Sequence, residues 1–283
     1  MVDAYAVAGP GDAPAEIARR LGETGCVLLR QCIGKAAFSA VSEFVYEELD
    51  RFRKVFSEHF GFAWGDTRRL DELLGEKRDG GSPYDALSPE LKHLVRGELP
   101  LSVRIAPQLK AVAHEPVLME AVRAILRDPV VRMHNPPSVR ASFPQAHSAM
   151  VPTHQDASYV WHLSEFVTVW TPLCAIDAEC GGIEILPRSH ELAPIAQQPS
   201  AIWLEAPSGY DNAQMVPIHC EPGDAILFGP RLMHRSCANR SQRVRCSIDY
   251  RFFSQRIQSP KHFYDIEARA VRAPAVAEPA QVH

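Results

Sequence analysis

Arg243-Val244-Arg245-Cys246-Ser247-Ile248-Asp249-Tyr250-Arg251-Phe252 alternates strictly between polar and apolar side chains. Successive side chains of an extended strand point to opposite faces, which puts Val244, Cys246, Ile248, Tyr250 and Phe252 on one face. Arg243, Arg245, Ser247, Asp249 and Arg251 share the other. The apolar face reads as core. The polar face has two readings. It meets solvent, or it lines a polar barrel interior, where an arginine can grip a carboxylate through two parallel N–H bonds.

Upstream of this stretch the β pattern continues. Short β-branched and aromatic segments, Val130–Met133, Ser138–Phe143, Glu165–Leu173, Ile183–Leu186, Met215–Ile218 and Ala225–Phe228, alternate with turn residues, and Val244–Phe253 ends the series. Several short strands at this spacing predict an antiparallel sandwich or barrel. Pro217 cannot donate to a ladder, so Met215–Ile218 is an edge strand at best. Before Pro129 the period is helical. Pro14–Gly22 reads as a short helix, Gly25–Arg30 as a strand, and Phe38, Val41, Val45, Leu49 and Phe52 fall on one face of a longer helix. Residues 61–110 read as irregular, with Asp79-Gly80-Gly81-Ser82-Pro83 a turn cluster. A third helix runs from Pro116 to Arg127 and is stopped by Asp128-Pro129. The expectation is one mainly β domain with flanking helices over residues 1–267: helix-rich 1–129, a barrel core over 130–255, and a loose tail at 268–283.

At 283 residues the chain can bury a core without staples. Its net charge of −4 gives it no electrostatic reason to coat nucleic acid or an anionic membrane. No apolar run approaches the roughly 18–20 residues of a membrane helix, and Met1-Val2-Asp3-Ala4 does not open a basic, then apolar, leader. The 7 Cys are odd in number and form no C-x-x-C pair, so they read as reduced, mostly buried thiols of a cytoplasmic protein.

Two segments carry chemistry: Val151-Pro152-Thr153-His154-Gln155-Asp156, and Gly223-Asp224-Ala225-Ile226-Leu227-Phe228 with Met233-His234-Arg235-Ser236 after it. In an extended chain residues i and i+2 face one side, so His154 and Asp156 can converge. His234 from a distant strand would complete two imidazoles and one carboxylate, the facial set of non-haem Fe(II) oxygenases, which could equally hold zinc or manganese. By spacing alone an H-x-D is weak, and a surface histidine beside a turn aspartate fits it better. Two observations shift the balance. Gly223-Asp224 is a turn that launches an apolar strand toward His234, and Arg245 stands eleven residues after His234 on the polar face of the alternating strand.

With these residues in view the sequence resembles the phytanoyl-CoA dioxygenase family of Fe(II)/2-oxoglutarate oxygenases, over about Val130 to Phe253 together with the Gly25–Arg30 strand and the helix after it. The resemblance rests on Thr153-His154-Gln155-Asp156, on Gly181-Gly182-Ile183-Glu184-Ile185-Leu186-Pro187-Arg188-Ser189-His190, on Gly223-Asp224, and on His234, Ser236 and Arg245. Arg188 departs from the family, which commonly has glycine there. The resemblance implies a double-stranded β-helix, a jelly-roll or cupin-like barrel. It implies that His154, Asp156 and His234 ligate Fe(II), that Arg245 and Ser236 hold the distal carboxylate of 2-oxoglutarate, and that O₂ is the second co-substrate. Trp170 falls where the family often has an aromatic beside the co-substrate, or it packs the core. Arg140 could bind co-substrate, bind an anionic substrate group, or be structural.

The activity implied is oxidative decarboxylation of 2-oxoglutarate to succinate and CO₂ coupled to hydroxylation of an unactivated C–H on a small molecule. Related halogenases have a small residue at the carboxylate position, so Asp156 favours hydroxylation. A non-catalytic metal- or small-molecule-binding relative and a zinc hydrolase on the same ligands are the alternatives. His190 is expected to fix a turn, and His134, His147 and His162 to lie near the site without ligating. Residues 61–110 and 191–214, with Trp64, Arg68, Arg69, Tyr84, Trp203 and Tyr210, are the expected lids over the barrel mouth.

Overall fold

The computed structural model describes residues 3–75, 84–145, 150–199, 203–210 and 214–274. The Asp79–Pro83 turn cluster, His147 and residues 275–283 of the expected tail lie outside them.

In chain order, the N-terminal part contains β1 (Ala6–Ala8), α1 (Pro14–Thr24), β2 (Cys26–Leu29), α2 (Lys35–Phe60), α3 (Thr67–Gly75), α4 (Pro89–Val95), α5 (Leu101–Arg104), a 3₁₀ segment (Pro107–His114) and α6 (Pro116–Leu126). The C-terminal part contains β3 (Val131–His134), β4 (Ser138–Ser142), β5 (His154–Gln155), α7 (Asp156–Tyr159), β6 (Val167–Pro172), β7 (Ile183–Ile185), β8 (Gln198–Pro199) and β9 (Leu204–Glu205). It ends with β10 (Val216–Pro217), β11 (Ala225–Phe228), β12 (Met233–Ser236), β13 (Arg245–Ser254), β14 (Phe263–Asp265) and β15 (Ala270–Arg272).

The helices form for the reasons the period gives. Val41, Val45, Leu49, Phe52 and Phe56 are the buried stripe of α2. The first helix outruns its reading by two residues because Gly25, not Gly22, takes the left-handed cap, φ 79°, and donates its N–H to the Leu21 carbonyl. A Cβ at Gly25 would stand 2.2 Å from His190 Nδ1, so glycine is needed there for clearance as well as for φ. His190 Nε2 lies 3.2 Å from the Gly22 carbonyl and packs the turn after β7 on the end of α1.

Two readings are corrected. The described residues of 61–110 are not irregular: they hold α3, α4, α5 and the start of the 3₁₀ segment, none long enough to show a period against its neighbours. Ala270–Arg272, expected in a loose tail, is paired antiparallel with β14 through Phe263↔Arg272 to Asp265↔Ala270.

The strands form two sheets. The large one runs β1-β2-β11-β6-β13-β3-β14-β15, with β4 also on β13; the small one runs β10-β7-β12-β5, and Pro217 sits on its outer strand as proline must. The sheets face one another as a jelly roll. Behind the large sheet, Val169, Ile248, Tyr250 and Phe252 join the helices' Val45, Phe52 and Leu118 in one apolar cluster. Between the sheets, Trp170, Ile226 and Phe228 meet Ile183 and Ile185. The Gly223-Asp224 turn is tied down where β11 starts. Buried Asp224 accepts from the Gln31 and Glu221 N–H groups at 2.9 and 2.8 Å and from Arg30 Nη1 at 2.6 Å. Among the described residues no helix is long and apolar enough to cross a membrane.

Candidate active site

The polar face of β13 does not meet solvent. Arg245, Asp249 and Arg251 line a cavity of about 210 Å³ between the two sheets, together with His154 and Asp156 and with His234 of β12. Strand pairing brings the histidines together. His234 and His154 are cross-strand partners in the small sheet, with ring centroids 4.2 Å apart. Asp156 arrives differently from the extended-chain expectation. The strand ends at Gln155, and Asp156 opens the single turn of α7, which still swings its carboxylate to the imidazoles.

The hydrogen bonds fix the tautomers. His154 Nδ1 is 2.8 Å from the Pro152 carbonyl and His234 Nδ1 is 3.0 Å from that of Leu232. A carbonyl only accepts, so each Nδ1 carries a proton and each Nε2 is the ring atom left to face Asp156. Those Nε2 atoms lie 3.6 and 4.0 Å from Asp156 Oδ1, and among the described residues the three side chains are the one group whose ligand atoms gather closely enough for an ion. Burial pushes the His234 imidazole down to about 3, which keeps it neutral and able to ligate. Burial alone would raise the Asp156 carboxyl. The charge of Arg251 and the contacts with His154 and His234 together outweigh it and hold the group well below the usual carboxylate range, as an anion.

The carboxylate is held from behind. Thr168 of β6 donates to Oδ2 at 2.6 Å, and Arg251 donates to Oδ2 from Nε at 3.3 Å and to Oδ1 from Nη2 at 3.1 Å. Neither residue was picked out from the sequence, although Arg251 shares the phase of Arg245 on the same strand. The outer contacts of a ligand set its orientation and basicity, so the donor set has the supporting contacts a metal needs.

Arg245 is buried, with Nη1 donating to Ser247 Oγ at 2.9 Å and its guanidinium 5.7 Å from the Trp170 ring centroid. Its Nε is buried without a hydrogen-bond partner. A buried guanidinium N–H left unpaired is costly, and a carboxylate entering the cavity would satisfy it. Ser236 and Trp170 also line the cavity; the Ser236 hydroxyl oxygen accepts from the Val151 N–H at 3.3 Å. The residues therefore fit both a divalent ion and a dicarboxylate beside it. Arg140 enters from β4, 3.4 Å from Asp249. His134 and His162 line the cavity 5.2 Å apart, outside the ligand cluster.

Of the expected lid residues, Trp64 is core: it is 1% exposed and donates to the Leu94 carbonyl. Arg68 and Arg69 pair on the surface with Glu72 and Asp66, and neither they nor Tyr84 and Tyr210 line the cavity. The 61–110 stretch instead sends in Arg96, Glu98 and Arg104, while Trp203 stacks against two of the lining arginines, Arg96 and Arg140.

A model of the phytanoyl-CoA dioxygenase (PhyH) family matches residues 23–247. The chain is 28% identical over 116 residues to 1-deoxypentalenic acid 11-beta-hydroxylase of Streptomyces exfoliatus, covering 37% of this chain and 41% of that one. It is 29% identical over 126 residues to peroxisomal phytanoyl-CoA dioxygenase of Bos taurus, covering 41% and 36%. The matched stretches thus span well under half of these relatives. Among solved structures, the epimerase SnoN in complex with Fe3+, alpha ketoglutarate and nogalamycin RO superposes with TM-score 0.58 at 16% identity over 87% of this chain and 86% of that one. The non-heme monooxygenase ThoJ gives 0.59 at 16% identity over 93% and 87%. At these identities the structural likeness speaks to the fold.

Proposed function

The chain belongs to the phytanoyl-CoA dioxygenase family, and from that premise we propose that it is an Fe(II)/2-oxoglutarate-dependent dioxygenase that hydroxylates an unactivated C–H of a small organic molecule, releasing succinate and CO₂. One observation carries the reading. Two imidazole Nε2 atoms and a carboxylate converge in the same cavity where a buried arginine N–H has no partner. A hydrolase built on the same ligands would have no use for that arginine.

In this reading His154, Asp156 and His234 hold Fe(II), which supplies the activation of O₂. The rest is done by the chain. Arg245 and Ser236 bind the distal carboxylate of 2-oxoglutarate, and Trp170 closes one side of it. Thr168 and Arg251 keep Asp156 aimed at the ion. The catalytic unit includes the large sheet from β1 to β15, and the pairing of β15 with β14 supports counting Ala270–Arg272 within it. Seven cysteines without a disulfide support a cytoplasmic setting.

The test is succinate and CO₂ formation dependent on Fe(II), 2-oxoglutarate and O₂, in the presence of an accepted substrate. His154→Ala and Asp156→Ala abolish it. Full turnover by either variant, or activity with zinc and no 2-oxoglutarate, overturns the proposal.

A further inference from the structure

Once the pairs around the cavity are matched, one arginine is left over. Arg104 pairs with Glu98 at 3.2 Å and donates from Nε to the Pro137 carbonyl at 2.8 Å. Arg251 is spent on Asp156, Arg235 on Glu184, and Arg245 is assigned to the co-substrate. Lys261 has a partner of its own. Arg96, at the C-terminal cap of α4, makes no ion pair and no side-chain hydrogen bond among the described residues, and its Nε is buried. Beside it, Arg140 has Asp249 3.4 Å from its Nε, and its Nη atoms donate to no described residue. The two guanidinium groups lie 4.6 and 5.1 Å from the centroid of the Trp203 ring. Both line the cavity that holds the metal ligands.

We propose that Arg96 and Arg140, backed by Trp203, form the binding site for the carboxylate of the substrate, and that the substrate is a compact monocarboxylic acid; this rests on the oxygenase reading above. The chemistry follows from the groups present. Planar guanidinium forks match a carboxylate in geometry and donor spacing. The Trp203 face holds the cations by cation–π attraction and presents no competing acceptor. Because Asp249 offsets Arg140, about one positive charge is left, which suits a monoanion better than a phosphate dianion. The cavity, about 210 Å³ and shared with 2-oxoglutarate, suits a compact skeleton rather than an acyl thioester with a nucleotide tail. The placement also puts the acid in the same cavity as the ligand cluster, so its skeleton lies within that cavity.

The experiment uses the full chain loaded with Mn(II) and 2-oxoglutarate, so that the metal and Arg245 are occupied and no turnover occurs. Calorimetric titrations are run with cyclohexanecarboxylate, cyclohexanecarboxamide and cyclohexyl phosphate. Wild type is expected to bind the carboxylate at least about tenfold more tightly than the amide, the size of one charge-assisted hydrogen bond. Arg96→Gln removes that preference and Arg96→Lys keeps part of it. Equal affinity for acid and amide in wild type overturns the proposal without reference to any variant. So does an undiminished preference in Arg96→Gln, a cyclohexyl phosphate that outcompetes the acid, or no acid binding to protein that has taken up Mn(II) and 2-oxoglutarate. Failure of those two to bind, seen in the preceding titration, overturns the oxygenase reading and this inference with it.

Discussion

Replacing Arg251 by methionine tests whether the arginine serves the metal ligand or merely fills the sheet. Asp156 is almost fully buried and Arg251 nearly so, with side-chain exposures of 2% and 12%. Breaking a buried pair by removing one partner costs about 3–5 kcal/mol, because the remaining charge is stranded. Here Thr168 still donates to Oδ2 at 2.6 Å, so the expected loss is near the lower end, about 3 kcal/mol. That loss belongs to the metal-free protein. A divalent ion on Oδ1 replaces the missing positive charge, so the metal-loaded variant recovers much of it. Paired urea denaturations in EDTA and in saturating Mn(II) read both numbers. The metal-induced shift is larger in Arg251→Met than in wild type, because in wild type Arg251 already neutralises the carboxylate before the ion arrives. Equal destabilisation with and without metal, or a loss in EDTA below about 1 kcal/mol, the scale of an exposed pair, refutes the reasoning.

Arg245→Ala raises KM for 2-oxoglutarate roughly 10- to 100-fold with a smaller change in kcat, the loss of a charge-assisted contact to the co-substrate; steady-state kinetics with an unchanged KM removes its assigned role. Thr168→Val keeps shape and drops the hydroxyl on Asp156, lowering metal affinity about 10- to 100-fold by equilibrium dialysis; unchanged affinity shows that Thr168 does not support the ligand. Arg188→Gly stabilises the fold by up to about 1 kcal/mol in urea, because Arg188 holds a left-handed φ of 60° and loses only an exposed pair with Glu191; a destabilised variant refutes this. Burial pushes the Glu98 carboxyl up, but the hydrogen bond with His93 and the charge of Arg104 outweigh it and leave it well below its ordinary range. A depressed carboxyl stabilises above its unfolded value, about 4.3, and loses that contribution as pH falls. Glu98→Gln is therefore less stable than wild type at neutral pH and converges with it in acid; a constant gap across pH contradicts the assignment.

What was legible in the sequence follows the range of the forces involved. The β13 alternation, the α2 stripe and the Gly223-Asp224 turn are written in neighbours a few residues apart, and each is found, although α2 continues to Phe60 and buries Phe56 beyond the expected stripe. The α3–α5 region was not legible, because helices of 9, 7 and 4 residues carry too few turns for a period, and their buried Leu70, Leu94, Val95 and Val103 join the apolar cluster shared with α2 and the sheet. Trp64 misled for a related reason. Between turn residues an aromatic reads as loop, and only the Phe56 and Phe143 rings against it make it core. The resemblance carried Arg188 with it as a departure from glycine, and the left-handed φ supplies the physical reason glycine is common there.

The site divides along the same line. His154, Asp156, His234 and Arg245 stood out through pattern taken together with the family resemblance, not through spacing alone. The residues that assign them their work did not, because charge pairing is set across sheets. Arg245 and Arg251 lie on one face of one strand, six residues apart, and sequence gives them the same description. Their roles separate only through what faces them: Arg251 meets Asp156 across the cavity, whereas Arg245 meets the neutral Ser247 hydroxyl and keeps an N–H to spare. The same test applied to Arg104 and Arg96 separates a structural cation from one that waits for an anion. In a cavity rich in arginine, identity of the residue therefore carries little of the specificity. Its pairing state carries more, and the arginines left without carboxylates are the ones whose substitution should change what the enzyme binds.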